Sequence, residues 1–399
     1  MIDELASLTD EPGRLTRLYL SPAHRNAAGC LAAWMRDAGM LAHIDAIGNV
    51  IGRYEGLLPD APALLLGSHI DTVRDAGKYD GILGVVSALA VVGRLHAAGK
   101  RLPHAIEVVA FGDEEGVRFA STLGGSSALA GVFDLKLLDD CDRDGISRRQ
   151  ALMDFGCNPA HIPSVARDPA QVLGYVELHI EQGPVLEAEN LPMAVVTAIN
   201  GGTRATVDVR GNRGHAGTVP MALRHDALAA AAEMILAVEQ RARGNADLVG
   251  TVGRLDIANA ATNTVPGSVT WTFDVRSPSD AERHTAVADI ERQIATIARA
   301  RRVETAVTIT YNTPAATSDA GLSQHLAASI SRQGHPVRRM PSGAGHDAMS
   351  FRGRIPFTML FVRCRGGISH HPAEHASVAD IEIAARILTD FVETFDAGL

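Results

Sequence analysis

At 399 residues the chain is long enough for two domains, or for one large domain with an ample core. Its formal net charge of -9 and its aromatic content of 4% exclude the basic, aromatic-rich surfaces that bind nucleic acids. The acidic start, the short apolar runs and the four scattered cysteines predict a cytoplasmic protein without a signal peptide or a membrane anchor.

Most of the chain has the periodicity of a domain in which helices cover a sheet. Residues 12–41 carry apolar side chains near 3.6-residue spacing, which predicts a long helix, and Ile82–His96 predicts another. Continuous apolar runs predict buried strands. These runs are Ala63–Gly67, Ile106–Phe111, Tyr175–Ile180 and Phe357–Val362. The alternation predicts an α/β fold, a mostly parallel sheet with helices on both faces.

The middle of the chain has a different pattern of polar and apolar residues. Arg204–Arg210 alternates polar and apolar residues, as a half-exposed strand does. It is followed by a helix at about Arg224–Arg243, strands near Leu248–Ile257 and Ser268–Arg276, a helix at about Ala281–Arg301, and a strand at Val303–Tyr311. This βαββαβ order is that of the ferredoxin-like unit. We therefore predict that residues 198–313 form a smaller inserted α+β domain, and that residues 1–197 and 314–399 form the sheet domain.

Histidine, aspartate and glutamate residues, whose side chains are of the types that bind metal ions, come directly after the apolar strands or near them. They are His69, Asp80, Glu114, Glu115, His179 and His370. In sheets of this kind ligands bind outside the carboxyl ends of the strands. Imidazole and carboxylate groups suit zinc, manganese and related divalent ions. Acids at the end of a buried strand are costly without a partner, so these segments together predict a metal site rather than a solvated surface.

The residue types suit a pair of ions. Two catalytic ions lie about 3.5–4 Å apart and usually share one carboxylate, for which Asp80 is a good candidate. Asp71, two residues after His69, can hold the other nitrogen of that ring and fix its tautomer. Of the adjacent Glu114 and Glu115, one can bind metal while its neighbour accepts a proton from the attacking water.

These segments resemble the aminoacylase-like dinuclear metallohydrolases, and specifically their carbamoylase branch. That branch contains allantoate amidohydrolases, N-carbamoyl-L-amino acid hydrolases and β-ureidopropionases. The resemblance extends from about residue 48 to residue 375, and Glu177–Pro184 is its most specific segment, because the peptidase relatives have a carboxylate where His179 stands. It implies two divalent ions for each chain, manganese or zinc, with cobalt or nickel as alternatives.

The resemblance also implies a role for each residue. The implied ligands are His69 and His179 for one ion, Glu115 and His370 for the other, and Asp80 as the bridge between them. Glu114 would be the general base, and Asp71 would support His69. His370 is preferred to His371 because it directly follows Ser369 in a Ser-His-x-Pro-x-Glu pattern.

Further residues are predicted to contact the substrate, Gln182 because it lies beside His179, and His215, Asn263 and Arg276 because their segments resemble the substrate-binding segments of the family. These are Gln182, His215, Asn263, Arg276 and His346. His215 would stabilise the oxyanion, whereas Asn263 and Arg276 would bind a substrate carboxylate. The inserted domain would serve as a lid and as the contact surface of a homodimer. His215 and Asn263 would reach the metal site of their own chain through domain closure, or the site of the second copy across the dimer; we favour the second.

The predicted activity is hydrolysis of a carbamoyl (ureido) group next to a carboxylate in a small molecule, which releases ammonia and carbon dioxide. Allantoate and N-carbamoyl-L-amino acids both stay open as substrates. Allantoate enzymes often carry an additional arginine where this chain has Gly202-Thr203-Arg204. Only Arg204 is present in this segment, so the segment does not single out allantoate. An aminoacylase or dipeptidase is the alternative within the class, and His179 argues against it. A catalytically silent binding protein is the alternative from another class, and the intact catalytic positions argue against that.

Overall fold

The computed structural model describes residues 1–396, and the chain divides into two compact units. The first unit comprises Met1–Thr197 together with the chain from Thr317 onward, and the second comprises Ala198–Ala316. None of the helices within residues 1–396 combines the length and the apolar character that crossing a membrane requires.

The strands are numbered here in chain order. They are β1 (Leu41–Ile44), β2 (Val50–Tyr54), β3 (Ala63–His69), β4 (Ala105–Phe111), β5 (Val172–Ile180), β6 (Met193–Ile199), β7 (Gly201–Arg210), β8 (Gly214–His215), β9 (Val249–Ile257), β10 (Thr264–Val265), β11 (Ser268–Ser277), β12 (Glu304–Thr313), β13 (Ala316–Thr317), β14 (Arg339–Ser342) and β15 (Phe357–Val362). The α-helices are α1 (Ile2–Ser7), α2 (Pro22–Asp37), α3 (Ile82–Ala97), α4 (Gly124–Leu129), α5 (Arg148–Phe155), α6 (Val185–Ala188), α7 (Ala227–Arg243), α8 (Asp280–Arg301), α9 (Ala320–Arg332) and α10 (Val378–Thr394).

A nine-stranded mixed sheet forms the centre of the first unit. Its strand order is β1-β2-β4-β3-β5-β15-β6-β13, and β14 pairs with β6 beside this path. The four central strands β4, β3, β5 and β15 are parallel, whereas β2 and β6 flank them in antiparallel pairing. The mostly parallel sheet predicted from the sequence is confirmed, and the antiparallel flanking strands are an addition to it.

The central strands are apolar throughout because both of their faces are covered. Every residue of β3, β4 and β15 is buried, as expected for parallel strands between two layers. Helix α3 packs on β3 and β5, and α9 and α10 pack on β15. The 3-10 turn Asp347–Phe351 also packs on β5 and β15, where the ring centroid of Phe351 is 4.8 Å from that of Tyr175.

The helix predicted for residues 12–41 is wrong in its extent, because α2 begins only at Pro22 and residues 41–44 belong to β1. Ser21 caps α2 by accepting a 3.1 Å hydrogen bond from the backbone N–H of His24, and Pro22 occupies the first turn. A proline inside a longer helix would remove a backbone hydrogen bond and clash with the preceding turn. The apolar spacing of residues 12–20 is therefore not helical.

The second unit has the βαββαβ order of β7, α7, β9, β11, α8 and β12, with a short ribbon of β8 and β10 in addition. The four-stranded sheet has the order β12-β7-β11-β9 and is antiparallel throughout. Apolar residues of α7, α8 and one face of the sheet form its core around the fully buried Trp271. Alternate residues of β7 and β11 lie on the other, more exposed face.

Candidate metal centre

The carboxyl ends of the four parallel strands of the first unit lie at the same edge of the sheet. In sheets of this kind, ligands bind at that edge. His69 is the last residue of β3, and His179 is the penultimate residue of β5. Glu114 and Glu115 lie in the loop after β4, and His370 lies in the loop after β15. Residues that are far apart in sequence therefore meet at this edge.

The carboxylate of Asp80 lies close to three histidine side chains. Its Oδ1 is 3.1 Å from Nε2 of His179 and 3.6 Å from Nε2 of His69. Its Oδ2 is 3.3 Å from Nε2 of His370, which is itself 3.8 Å from Oε2 of Glu115. The two oxygens of one carboxylate thus face two separate sets of donors.

Two sets of three side chains have ligand atoms within 4.8 Å of one another and share Asp80. They are His69, Asp80 and His179, and Asp80, Glu115 and His370. The structure thereby brings together the five residues that were predicted as metal ligands. Glu114 forms a further set with His69 and Glu115. His371 is exposed and belongs to none of the sets found within residues 1–396.

The Nε2 atom of His179 tests whether this donor set fits a cation. The atom is buried and lies 3.1 Å from Oδ1 of Asp80, yet it makes no hydrogen bond within residues 1–396. A buried nitrogen without a partner is costly. A divalent ion bound by both atoms would satisfy the nitrogen and the carboxylate together, so the residues fit a metal ion.

The electrostatics of the site also favour a cation. Burial and the nearby charge of Asp80 raise the pKa of Glu115 to about 7. Burial, with Glu115 and Asp347 close by, raises the pKa of Glu114 well above its ordinary value. Burial acts in the same direction on Asp80, but the close, favourable interactions with His179, His370 and His69 outweigh it and hold its pKa well below the usual range. A bound dication would stabilise all three carboxylates in their ionised form.

Asp71 supports both His69 and the pair of glutamates. Nδ1 of His69 is 3.0 Å from the backbone oxygen of Asp71 and 3.8 Å from Oδ1 of its carboxylate. The carboxylate accepts hydrogen bonds from the backbone N–H groups of Glu114, at 3.1 Å, and Glu115, at 3.2 Å. The predicted contact of Asp71 with His69 therefore runs through the backbone, and the carboxylate positions the glutamates.

Gly81 allows Asp80 to approach His69. It has a φ of 67° and directly precedes α3. A Cβ atom at this position would lie 2.5 Å from Cε1 of the His69 ring, so only glycine fits between the imidazole and the helix.

Gln182, Ser369 and Glu374 complete the surroundings of Asp80. Nε2 of Gln182 donates hydrogen bonds to Oδ2 of Asp80, at 3.0 Å, and to Oγ of Ser369, at 2.9 Å. Buried Glu374 accepts the backbone N–H of Tyr79 at 2.9 Å. Ser369 and Glu374 belong to the Ser-His-x-Pro-x-Glu pattern that singled out His370, yet the pattern alone does not predict their contacts with Asp80 and its segment.

The predicted substrate contact His346 is buried beside the centre. Its ring centroid is 4.5 Å from that of His179, and its Nε2 is 2.8 Å from Oγ of Ser342. Glu177 was missed by the sequence analysis. It is buried two residues before His179, and its ligand atoms lie within 4.8 Å of those of His179 and His346. A charged residue within an otherwise apolar strand is the signal that could have revealed it.

His215 lies in β8 of the second unit, and Asn263 directly precedes β10, the strand with which β8 pairs. His215 pairs with Thr264, and the backbone N–H of Ala216 donates a 2.8 Å hydrogen bond to the carbonyl of Asn263. Both residues are exposed. The backbone N–H of Gly217 donates to Nδ1 of His215 at 3.1 Å, so the neutral ring carries its proton on Nε2.

Arg276 lies on the more exposed face of the second unit's sheet. Its Nε and Nη2 donate to Oδ1 and Oδ2 of Asp274 at 3.0 Å and 2.8 Å. The predicted carboxylate binder therefore already holds a carboxylate of its own strand.

Comparison with known proteins places the chain in a family. The profile described as Peptidase family M20/M25/M40 matches residues 65–394. Allantoate deiminase 1 of Glycine max is 40% identical, over 98% of this chain and 87% of its own length. The N-carbamoyl-L-amino acid amidohydrolase of Geobacillus stearothermophilus is 39% identical, over 96% of this chain and 94% of its own.

The crystal structure of an amidase of the hydantoinase/carbamoylase family from Burkholderia multivorans has a TM-score of 0.93 to this structure. It is 33% identical and the match covers 98% of this chain and 95% of that one. The chain therefore belongs to Peptidase family M20/M25/M40, within the carbamoylase branch that its motifs predicted.

Proposed function

We propose that this amidohydrolase removes the carbamoyl (ureido) group from a small carboxylate-bearing molecule, either allantoate or an N-carbamoyl-L-amino acid. The names of its relatives support these two substrates. The observation that carries the proposal is the division of the Asp80 carboxylate, with Oδ1 at 3.1 Å from His179 and Oδ2 at 3.3 Å from His370. This is the arrangement that a pair of bridged ions requires.

In this proposal the residues hold two divalent ions. His69 and His179 would hold one ion, Glu115 and His370 the other, and Asp80 both. Manganese or zinc suits such nitrogen and oxygen ligands, with cobalt or nickel as alternatives. When bound, the ions would polarise the ureido carbonyl and lower the pKa of the attacking water.

Glu114 is the proposed general base. It is adjacent to the proposed ligand Glu115, and Asp71 fixes the backbone of both glutamates. Glu114 takes a proton as water adds to the carbonyl carbon, and then gives this proton to the departing nitrogen. One C–N bond breaks, and the carbamic acid that is left decomposes. The sum is one ureido acid and one water converted to ammonia, carbon dioxide and an amine.

His215, Gln182 and His346 are the proposed contacts of the ureido group. The proton on Nε2 of neutral His215 can be donated to the oxyanion that develops on the carbonyl oxygen. The amide nitrogen of Gln182 donates to Asp80 and Ser369, so its Oε1 is the atom that it can offer to a urea N–H.

Arg276, with Asn263, is the proposed binding group for the substrate carboxylate, because a guanidinium can bind a carboxylate through two parallel hydrogen bonds. We further propose that the chain forms a homodimer, in which the inserted unit acts as a lid and His215 and Asn263 serve the site of the second copy. A cytoplasmic location fits the four cysteines, which are all free thiols.

A panel of substrates tests this proposal. The purified protein is supplied with manganese or zinc and given allantoate, several N-carbamoyl-L-amino acids, their D-enantiomers, and the matching N-acetyl amino acids. We expect ammonia release from at least one of the first two classes, with kcat/KM at least a hundredfold above that for the N-acetyl compounds. Faster hydrolysis of the N-acetyl compounds would contradict the proposal and indicate an aminoacylase.

A further inference from the structure

Asp274 is shared by two arginines on the more exposed face of the second unit's sheet. Its Oδ2 accepts hydrogen bonds from Nη2 of Arg276, at 2.8 Å, and from Nε of Arg204, at 3.0 Å. Asp274 and Arg204 are direct cross-strand partners on β11 and β7. One carboxylate therefore balances two guanidinium groups, and the group as a whole keeps one positive charge.

The position of Arg204 is fixed from both sides. Its guanidinium carbon lies 4.7 Å from the ring centroid of Tyr311, its cross-strand partner on β12. The pairing of β12 with β7 shifts register between Ile309 and Tyr311, and the pairing of β9 with β11 shifts between Thr272 and Asp274. Such irregularities re-aim side chains and are common beside functional sites.

The second arginine, Arg204, changes the net charge that Arg276 and Asp274 present together to an incoming carboxylate. If Asp274 were paired with Arg276 alone, the pair would be neutral and would attract an incoming carboxylate weakly. Burial would raise the pKa of Asp274, but the hydrogen bonds from Arg276 and Arg204 hold it below its ordinary value, so Asp274 stays ionised at neutral pH. The charge that Arg276 can offer therefore depends on Arg204.

We propose that Arg204 is a positioning residue that neutralises Asp274 and thereby leaves Arg276 a net positive charge for the carboxylate of the substrate. This inference rests on the proposed function, since it concerns recognition of an anionic ureido acid. It assigns Arg204 an action through Asp274 without direct contact with the substrate, and it makes the Arg204–Asp274–Arg276 group the determinant of selectivity for acids over neutral ureas.

The test measures KM and kcat with the ureido acid that the metal-loaded enzyme turns over best, and with the neutral carboxamide of the same compound. Arg204→Gln is expected to raise KM for the acid, because Asp274 then offsets the charge of Arg276. The rise should be only about five- to tenfold, because solvent screens the partly exposed charge. Its kcat and its KM for the carboxamide should not change. Arg204→Lys, which keeps the positive charge, should have a KM for the acid much closer to that of the unmodified enzyme than Arg204→Gln has. Arg210→Gln, on the same face of β7, is the matched control and should have the KM of the unmodified enzyme.

The double variant Arg204→Gln/Asp274→Asn separates charge compensation from structural damage. Removing the charge of Asp274 should return KM for the acid to within about twofold of the unmodified value, because Arg276 then keeps its own charge. A double variant with a KM as high as that of Arg204→Gln would overturn the inference, as would an unchanged KM in Arg204→Gln. Absence of turnover of every ureido acid by the unmodified enzyme would instead overturn the proposed function, and this inference with it.

Discussion

The backbone N–H of Asp80 donates a 3.0 Å hydrogen bond to Oε1 of Glu374, a residue 294 positions away in sequence. The same oxygen accepts the N–H of Tyr79, and Oε2 accepts the hydroxyl of Ser369 at 3.2 Å. Glu374 is buried, so these contacts fix the segment that carries the proposed bridging carboxylate.

Replacing Glu374 should therefore weaken metal binding without removing a ligand. Glu374→Ala leaves two buried N–H groups without an acceptor, which costs about 1–3 kcal/mol for each group. Loss of a residue that orients a ligand typically lowers metal affinity about 10- to 100-fold. Competition with a chelator of known affinity measures this change. Glu374→Gln, which retains one oxygen acceptor, should lose less, and an alanine variant with unaltered affinity would show that Asp80 does not depend on Glu374.

The two adjacent glutamates should differ in what their loss does. Glu114→Gln keeps the size of the side chain but cannot accept a proton, so kcat should fall about a hundred- to ten-thousandfold while both ions stay bound. Glu115→Gln should instead lose the ion that Glu115 shares with His370. Elemental analysis beside steady-state kinetics distinguishes the two. If Glu114→Gln retained near-normal kcat, the roles of the glutamates would have to be exchanged.

Metal affinity should fall as the pH falls. Burial lowers the pKa of His69, but Asp80, Glu114 and Asp71 outweigh it and raise that pKa well above its ordinary value. Burial and Asp80 raise the pKa of Glu115 to about 7. A metal ion needs neutral imidazole and ionised carboxylate, so its binding must displace protons from both groups.

Between about pH 8 and about pH 6 we therefore expect the affinity of the metal-free protein to drop by at least tenfold for each pH unit. Calorimetry in buffers of different ionisation enthalpy should detect proton release on binding. Arg276→Lys serves as the control, since it alters no proposed ligand and should give the same pH profile. Affinity that is independent of pH over this range would show that these groups do not bind the ion.

Mixed dimers test the proposed action of His215 across the dimer. Glu114→Gln and His215→Ala should each be inactive as pure proteins. If His215 serves the second copy, each mixed dimer contains one site with both residues intact and should have about half the activity of an unmodified dimer. Because random exchange of an equimolar mixture makes about half of the dimers mixed, the mixture should recover about a quarter of the unmodified activity. A mixture that exchanges subunits, as verified by mass spectrometry, but stays inactive would show that His215 serves its own chain.

The central strands, and the histidines and carboxylates that the fold brings together at their ends, could be predicted from the sequence because both leave local signals. Fully buried strands such as Ala105–Phe111 are continuous apolar runs, and the polar residues after them stand out. The apolar spacing predicts too early a start for α2, because Pro22 and the cap Ser21 set where the helix begins.

Contacts between distant segments left no comparable signal in the sequence. The hydrogen bonds of Asp71 with the two glutamates, of Glu374 with Asp80, and of Asp274 with two arginines depend on how the chain folds. Asp113, Gln182 and His370 also adopt a positive φ, which is rare for such residues and commonly found at functional sites. Residue types alone do not predict that conformation.

Titration of metal into the chelated protein, with bound metal and ureido acid turnover recorded together, tests the central claim most directly. We expect turnover to be absent in the metal-free protein and to saturate at two ions for each chain. His69→Ala and His370→Ala should each bind about one ion fewer, in line with their separate donor sets. Full turnover by the exhaustively chelated protein, or saturation at a single ion for each chain, would contradict a dinuclear centre bridged by Asp80.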